Sequence, residues 1–291
     1  MENIIEIKNV TKIYKNKNIL KNITLKIDRE SIYGLIGKNG AGKTTLLKII
    51  CGLIKVSSGI VKLDNDLRIG SLIENPGLLP NLTAFDNIKI KCIAYGIDDT
   101  HYIEDLLNLI GLKYAKDIKI KQFSLGMKQR LGIALALVGN PDILVLDEPI
   151  NGLDPQGIVE VRNLLIRLNK EKHMTIIISS HILEELSKIV TDYGIINNGK
   201  LMISESKSKL QNRCITKYEI LSKEKDTIKK IFFKENIEFN NDTIKIATNE
   251  NIEKVLDANL KYEYRLKVLK KETLEEVYLR IIGGDHNEKS Y

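Results

Sequence analysis

Lys43 and Thr44 close a glycine-rich run, Gly37-Lys38-Asn39-Gly40-Ala41-Gly42-Lys43-Thr44-Thr45, spaced as G-x-x-x-x-G-K-[ST]. Residues of these types at this spacing can hold a polyphosphate. Gly37, Gly40 and Gly42 let the backbone, including the Asn39 amide, wrap closely around an anion. A helix starting at Lys43 would add free N–H groups and a positive dipole end. The Lys43 ammonium is placed for the β- and γ-phosphates and the Thr44 hydroxyl for Mg2+, with Thr45 next in the same turn. A glycine-rich turn without a ligand is the plain alternative. The flanks decide against it: residues 32–36 read as a buried strand, and Leu46, Leu47, Ile49 and Ile50 recur at helical spacing. The run implies a nucleoside triphosphate site.

Asp147 and Glu148 end a second apolar strand, residues 143–146. A carboxylate at the carboxyl end of such a strand lies beside a phosphate loop in a parallel α/β sheet. Asp147 suits the Mg2+ shell, and Glu148 is placed to take a proton from an attacking water. Alone, an acidic strand end is commonplace; downstream of a complete phosphate loop it supplies the other half of a hydrolytic site.

Three further segments surround that strand. Phe123-Ser124-Leu125-Gly126-Met127-Lys128-Gln129-Arg130 precedes it, Asn151-Gly152-Leu153-Asp154 follows it, and Ser179-Ser180-His181 ends the next strand. In this order and spacing, residues 1–205 resemble a single cassette of the ATP-binding cassette (ABC) ATPases. The resemblance implies ATP and Mg2+ as ligands and two cassettes associating head to tail. Ser124 and Gly126 would then reach the γ-phosphate held by the other copy, and Asp154 would brace the opposite phosphate loop. A turn-forming Asp before Pro155 is the plain reading of that last residue. His181 would bond the γ-phosphate and steady the water of Glu148. Tyr14 falls where the family places the aromatic that stacks on adenine. His101, His173 and His286 lack any such setting.

Two departures narrow the resemblance. Leu125 stands where the family's Leu-Ser-Gly-Gly-Gln signature has its first glycine, which alters the turn but spares the serine and second glycine. In Ile73-Glu74-Asn75-Pro76, Glu74 replaces the usual glutamine, which binds Mg2+ or water and relays motion to the membrane subunit. A carboxylate there would ligate Mg2+ more strongly while adding negative charge beside the phosphates; a solvent-facing loop glutamate is the bland alternative. With residues 82–84, 123–130 and the closing 274–279, Glu74 makes the chain similar to the ATPase subunits of bacitracin- and lantibiotic-type self-protection exporters. The subgroup implies a separate transmembrane permease subunit, a second ATPase subunit (a homodimer) and a cytoplasmic, peripheral place on the inner face of the membrane. Other small two-subunit exporters share such cassettes. A soluble cassette ATPase acting on ribosomes or nucleic acid is the competing class.

The bulk properties fit these expectations. A net charge of +7 leaves room for an acidic partner, but Lys and Glu are interspersed and Trp is absent, so no nucleic acid is expected. Three cysteines without metal-like spacing read as reduced thiols of a cytosolic protein. The start shows no signal peptide, and no apolar run approaches the ~20 residues of a spanning helix. Any membrane role must pass through another chain.

Apolar runs at residues 4–8, 23–27, 32–36, 60–63, 69–73, 143–146, 175–179 and 193–196 read as strands, with helical segments between them. A helical region spans 84–110, broken near Gly96, with Thr83 and Asp86 as a capping pair. The fold class expected is α/β: a phosphate-loop cassette, 1–205, with a mixed sheet core and a helical subdomain. A polar boundary at 204–209 leads to a small C-terminal α/β appendage, 206–291. There the order expected is strand 215–221, helix 227–233, hairpin at 240–242, helix 251–260, strand 262–269 and a closing helix from 273, a ferredoxin-like sequence of elements.

Overall fold

The computed structural model describes residues 2–64, 67–222, 224–232, 235–239, 243–260 and 264–283. They form two compact units, Met1–Ser206 and Lys207–Tyr291. The first begins with β1 (Asn3–Tyr14), β2 (Lys17–Asp28), β3 (Ile32–Ile36), α1 (Lys43–Ile50), β4 (Ser58–Leu63) and β5 (Ile69–Leu72). Three helices follow: α2 (Ala84–Ala94), α3 (Thr100–Leu109) and α4 (Leu125–Leu137). The unit closes with β6 (Ile143–Asp147), α5 (Pro155–Lys172), β7 (Thr175–Ser180), α6 (Leu183–Ser187), β8 (Asp192–Asn197) and β9 (Lys200–Ser206).

Two sheets enclose α1. A six-stranded sheet runs β5-β6-β7-β3-β8-β9, parallel except for β9, and a three-stranded antiparallel sheet runs β2-β1-β4. Strands β3, β6 and β7 are buried at every residue, as uninterrupted apolar runs in a sheet covered on both faces should be. Leu46, Leu47, Ile49 and Ile50 of α1 share one core with Ile5, Ile7, Leu25 and Ile27 of the small sheet and Val145 and Ile177 of the large one. The helix behind the phosphate loop is thus wedged between two layers, and burying each such side chain is worth about 1.5–3 kcal/mol.

The helices α2, α3 and α4 form the expected insertion between β5 and β6. Thr83 and Asp86 make a reciprocal capping box at α2, Asp99 caps α3, and Gly96, at φ 70°, turns the chain between them. The exposed carbonyls at the end of α3 are taken by arginines: Arg130 of α4 donates to Ile110 O at 3.0 Å, and Arg167 of α5 donates to Leu109 O. Arg130 also pairs with Glu160 of α5 at 3.1 Å. These bonds fasten α4, which carries the signature residues at its start, to α5.

The first two strands differ from their expected limits, each running to 12 residues. Their pairing shifts register repeatedly between Ile7 and Ile13, and Asn9 and Asn22 adopt left-handed backbone. Such bulges interrupt the two-residue alternation by which a strand is read. The polar stretch 204–209, expected as a boundary, holds the end of β9 and the start of α7 (Lys207–Gln211).

The second unit continues with β10 (Thr216–Leu221), α8 (Lys225–Ile231), β11 (Asn236–Phe239), β12 (Ile244–Thr248), α9 (Ile252–Asn259), β13 (Arg265–Lys271) and α10 (Leu274–Gly283). Its sheet order is β11-β12-β10-β13 with all neighbours antiparallel, the ferredoxin-like arrangement. Ile220, Ile244 and Ile246 pack there on Ile228, Phe232, Ile252 and Leu256, a separate core. The hairpin residues 240–242, and Tyr262 at the expected start of the last strand, lie outside the described residues.

Candidate active site

The order β6-β7-β3 brings three chain crossings to one edge of the sheet. Ile36, the last residue of β3, pairs with Ser180 of β7, and Asp147, the last of β6, pairs with Ser179. The phosphate loop, the two acidic residues and the Ser179-Ser180-His181 segment therefore leave adjacent strands at the same end. This is the carboxyl edge where parallel α/β sheets bind their ligands.

Residues 37–42 link β3 to α1, and Lys43 and Thr44 open the helix. Gly42 has φ 111°, closed to side chains, and a Cβ on Gly37 would meet the Ile196 carbonyl. Glycine is required at both points by backbone geometry. The buried Lys43 ammonium donates to Gly37 O at 2.6 Å and lies 3.1 Å from Glu148 Oε1. The unbonded amide groups at the start of α1 and the ammonium together make an anion cradle.

The acidic pair is tightly held. Thr44 Oγ1 donates to Asp147 Oδ2 at 2.7 Å, and Ser179 Oγ donates to Asp147 Oδ1 at 2.5 Å. Glu148 N donates to the same Ser179 Oγ at 3.0 Å. Glu148 occupies a left-handed conformation, φ 49°, uncommon for a residue with a side chain. That turn directs its carboxylate between the Lys43 ammonium and the His181 imidazole, whose Nδ1 lies 2.8 Å from Glu148 Oε2. Glu148 Oε1 is buried and has no hydrogen-bond partner among the described residues, so the Lys43 ammonium 3.1 Å away compensates its charge. Ser179 is the one member of this cluster to which sequence reasoning gave no role.

The remaining candidates lie around this centre. Tyr14 ends β1 with its ring 44% exposed, and Lys12 Nζ sits 4.6 Å from the ring centroid. Ser124 caps α4, accepting from Met127 N at 3.2 Å, with Gly126 in the first turn behind it. Asp154 caps α5, accepting from Gly157 N at 2.8 Å, and Pro155 follows at the first helical position. Among the described residues no hydrogen bond joins Ser124, Gly126 or Asp154 to the phosphate loop of the same chain. Glu74 has left-handed backbone, φ 64°, and its exposed carboxylate pairs with Lys48 of α1 at 2.7 Å rather than with Thr44 or Asp147. His173 pairs with Glu30 at 3.0 Å away from this cluster; His286 lies outside the described residues.

The donor set fits Mg2+. A hydroxyl and a carboxylate oxygen 2.7 Å apart are hard ligands, and Mg2+ commonly takes one or two protein oxygens with substrate phosphates and water completing its octahedron. No cluster of three or more His, Cys, Asp or Glu suited to a metal occurs among the described residues.

Comparison with known proteins places the chain in a family. Residues 20–151 match the family model described as ABC transporter. The chain is 37% identical to the bacitracin transport ATP-binding protein BcrA of Bacillus licheniformis, over 98% of this chain and 99% of that protein. It is 44% identical to the lantibiotic transport ATP-binding protein SrtF of Streptococcus pyogenes, over 69% of this chain and 90% of the other. Among solved structures it resembles the dimeric, post-hydrolysis cassette MJ0796 bound to ADP and Pi, with TM-score 0.62, 28% identity and coverage of 69% and 98%. It also resembles cbiO1 of Clostridium perfringens, part of the cbiONQ transporter complex, with TM-score 0.67, 26% identity and coverage of 73% and 92%.

Proposed function

The chain belongs to the ABC transporter family of ATP-binding cassettes, and we propose that it is the ATP-hydrolysing subunit that powers export of, or immunity to, a peptide antibiotic of bacitracin or lantibiotic type. The observation that carries the ATPase reading is the Lys43–Glu148–His181 contact set beside the Thr44–Asp147 pair. Similarity to BcrA over nearly the whole chain, second unit included, supports the transport reading.

Thr44 and Asp147 would hold Mg2+, which supplies charge neutralisation at the β- and γ-phosphates. The amides of Asn39, Gly40, Gly42, Lys43, Thr44 and Thr45 and the Lys43 ammonium bind and orient the triphosphate, and the half-exposed Tyr14 ring stacks on adenine. Glu148 Oε1 accepts a proton from the attacking water as its oxygen bonds to the γ-phosphorus and the bond to the ADP oxygen breaks. His181 fixes the Glu148 carboxylate through Oε2 and reaches the γ-phosphate. The start of α4, with Ser124 and Gly126, meets the γ-phosphate of a second copy, and Asp154 lies at the same face. Closure of two copies on ATP, and separation after hydrolysis, is the working stroke.

Among the described residues no helix is long and apolar enough to cross a membrane, so a separate permease subunit forms the path. Exposed Leu53 and Tyr95, the residue that caps the end of α2, line a cavity of about 390 Å3 whose walls include Ile73, Asn75 and Pro76, and Ile90 and Ile93 of α2 are exposed as well. This apolar rim next to Glu74 supports docking of that subunit, and a peripheral place on the cytoplasmic face follows.

Deleting the coding region and testing growth against bacitracin, lantibiotics and unrelated toxic compounds checks the substrate class. Selective sensitisation to one peptide class is expected; uniform sensitivity or none would refute antibiotic export. A Glu74→Gln chain is expected to lose protection while ATP binding stays within about twofold of the parent, and equal loss of both would remove the coupling role from Glu74.

A further inference from the structure

We propose that Ser179 is a positioning residue for both acidic groups of the site, its single hydroxyl aiming Asp147 at the metal and locking the turn that aims Glu148 at the water. This deepens the ATPase reading above and rests on it.

Ser179 is wholly buried in β7, in a strand whose preceding residues, Ile176, Ile177 and Ile178, are aliphatic core. A hydroxyl at such a place must be satisfied internally, and here it is satisfied twice. It donates to Asp147 Oδ1 at 2.5 Å and accepts from Glu148 N at 3.0 Å. The parallel pairing of Asp147 with Ser179 sets both distances, because the serine lies directly opposite the last residue of β6.

Each bond has a distinct consequence. A carboxylate can rotate about its Cβ–Cγ bond, and the torsion is broad. Anchoring Oδ1 stops that rotation and leaves Oδ2 on Thr44, the pair of oxygens assigned to Mg2+. A hydrogen bond to the free oxygen of a metal-binding carboxylate orients that carboxylate. The bond from Glu148 N stabilises a residue held at φ 49°, a conformation that persists only when its surroundings enforce it. Ser179 therefore ties metal binding to placement of the base. No neighbouring side chain duplicates it: Ser180 Oγ instead accepts from Ile182 N at 2.9 Å.

The test compares the full-length parent with Ser179→Ala, Ser179→Cys and Ser179→Thr, titrating each with a fluorescent ATP analogue in EDTA and across a Mg2+ series. Ser179→Ala is expected to bind the analogue in EDTA like the parent, within about twofold, because the loop and Lys43 are untouched. Its Mg2+ requirement for tight binding should rise about 10-fold or more, the usual cost of losing an outer-shell partner of a metal site. Its kcat should fall while KM measured at saturating Mg2+ stays near the parent's. Ser179→Thr, which keeps the hydroxyl, should restore both. Ser179→Cys keeps the volume but offers a weak donor, and should behave as Ala does; it carries the test if the Ala chain does not fold. A parent-like Mg2+ requirement in a folded Ala or Cys chain, or equal impairment in folded Thr and Ala chains, would overturn the proposal. Failure of the parent itself to bind the analogue with Mg2+ would instead overturn the ATPase reading.

Discussion

Glu148 is a residue whose backbone, both carboxylate oxygens and neighbours all point to one task. Its Oε2 is held by His181 and its Oε1 lies beside Lys43 without a hydrogen bond of its own. Glu148→Gln keeps the shape and removes the base, so ATP turnover should fall by about 10²–10⁴-fold, the range for general-base catalysis, with nucleotide affinity retained. A phosphate-release assay beside an ATP titration measures both, and turnover within a few fold of the parent would assign the proton to another group. Cys51 closes α1 behind the phosphate loop, and burial pushes its thiol up to about 11 despite a hydrogen bond from Ser71 that opposes the shift. A raised thiol pKa means the protonated form persists through neutral pH, so iodoacetamide at pH 7.5 should leave Cys51 unmodified in the folded protein, read by mass spectrometry; rapid labelling would contradict the burial. That Lys43, Thr44, Asp147 and Glu148 would come together was legible in the sequence because their types and spacing carry chemistry by themselves, whereas His181 was expected beside them only through the family resemblance. Ser179 was not, since a serine at the end of an apolar strand acquires meaning only from the residue paired across from it. Lys48 was hidden similarly: a helical lysine with nothing near it in sequence to announce its bond to Glu74.

At the scale of elements, continuous apolar runs identified β3, β6 and β7 because strands buried on both faces need no alternation. Edge and bulged strands were harder. The seven residues of β9 include no fully buried one, so their pattern gave no face to read, and bulges concealed how far β1 and β2 extend. Caps were easier, being local: Thr83 accepts from Asp86 N at 3.0 Å, as the three-residue spacing indicated. Thr83→Ala should destabilise the protein by about 0.5–2 kcal/mol, measurable in a urea titration, and a change within error would mean the insertion adds nothing to global stability. Gly70 of β5 is constrained differently, since a Cβ there would strike the Ala136 carbonyl of α4. Gly70→Ala should cost about 1–3 kcal/mol through overpacking by pushing apart the strand before Glu74 and the signature helix.

At the scale of the whole molecule, the ferredoxin-like order of the second unit followed from alternating strand and helix patterns, while its role has no motif to announce it. Among the described residues, Ile220, Ile228, Phe232, Ile244, Ile246, Ile252 and Leu256 of this unit form a core cluster of their own. A fragment of residues 207–291 should therefore melt cooperatively by circular dichroism, and a featureless transition would show dependence on the cassette. The first unit carries the phosphate loop with its acidic pair and the Ser124 cap of α4, the two halves of the proposed composite site, and among the described residues no hydrogen bond joins them. On the function proposed above, such a molecule would complete its site by meeting a copy of itself around ATP. Sedimentation velocity of the Glu148→Gln protein with Mg2+, with and without ATP, tests this most directly. The protein should be a monomer that becomes a dimer only when ATP is added and stays monomeric when Lys43→Ala is combined with it; a monomer at saturating ATP, or a dimer indifferent to nucleotide, would rule out closure around ATP.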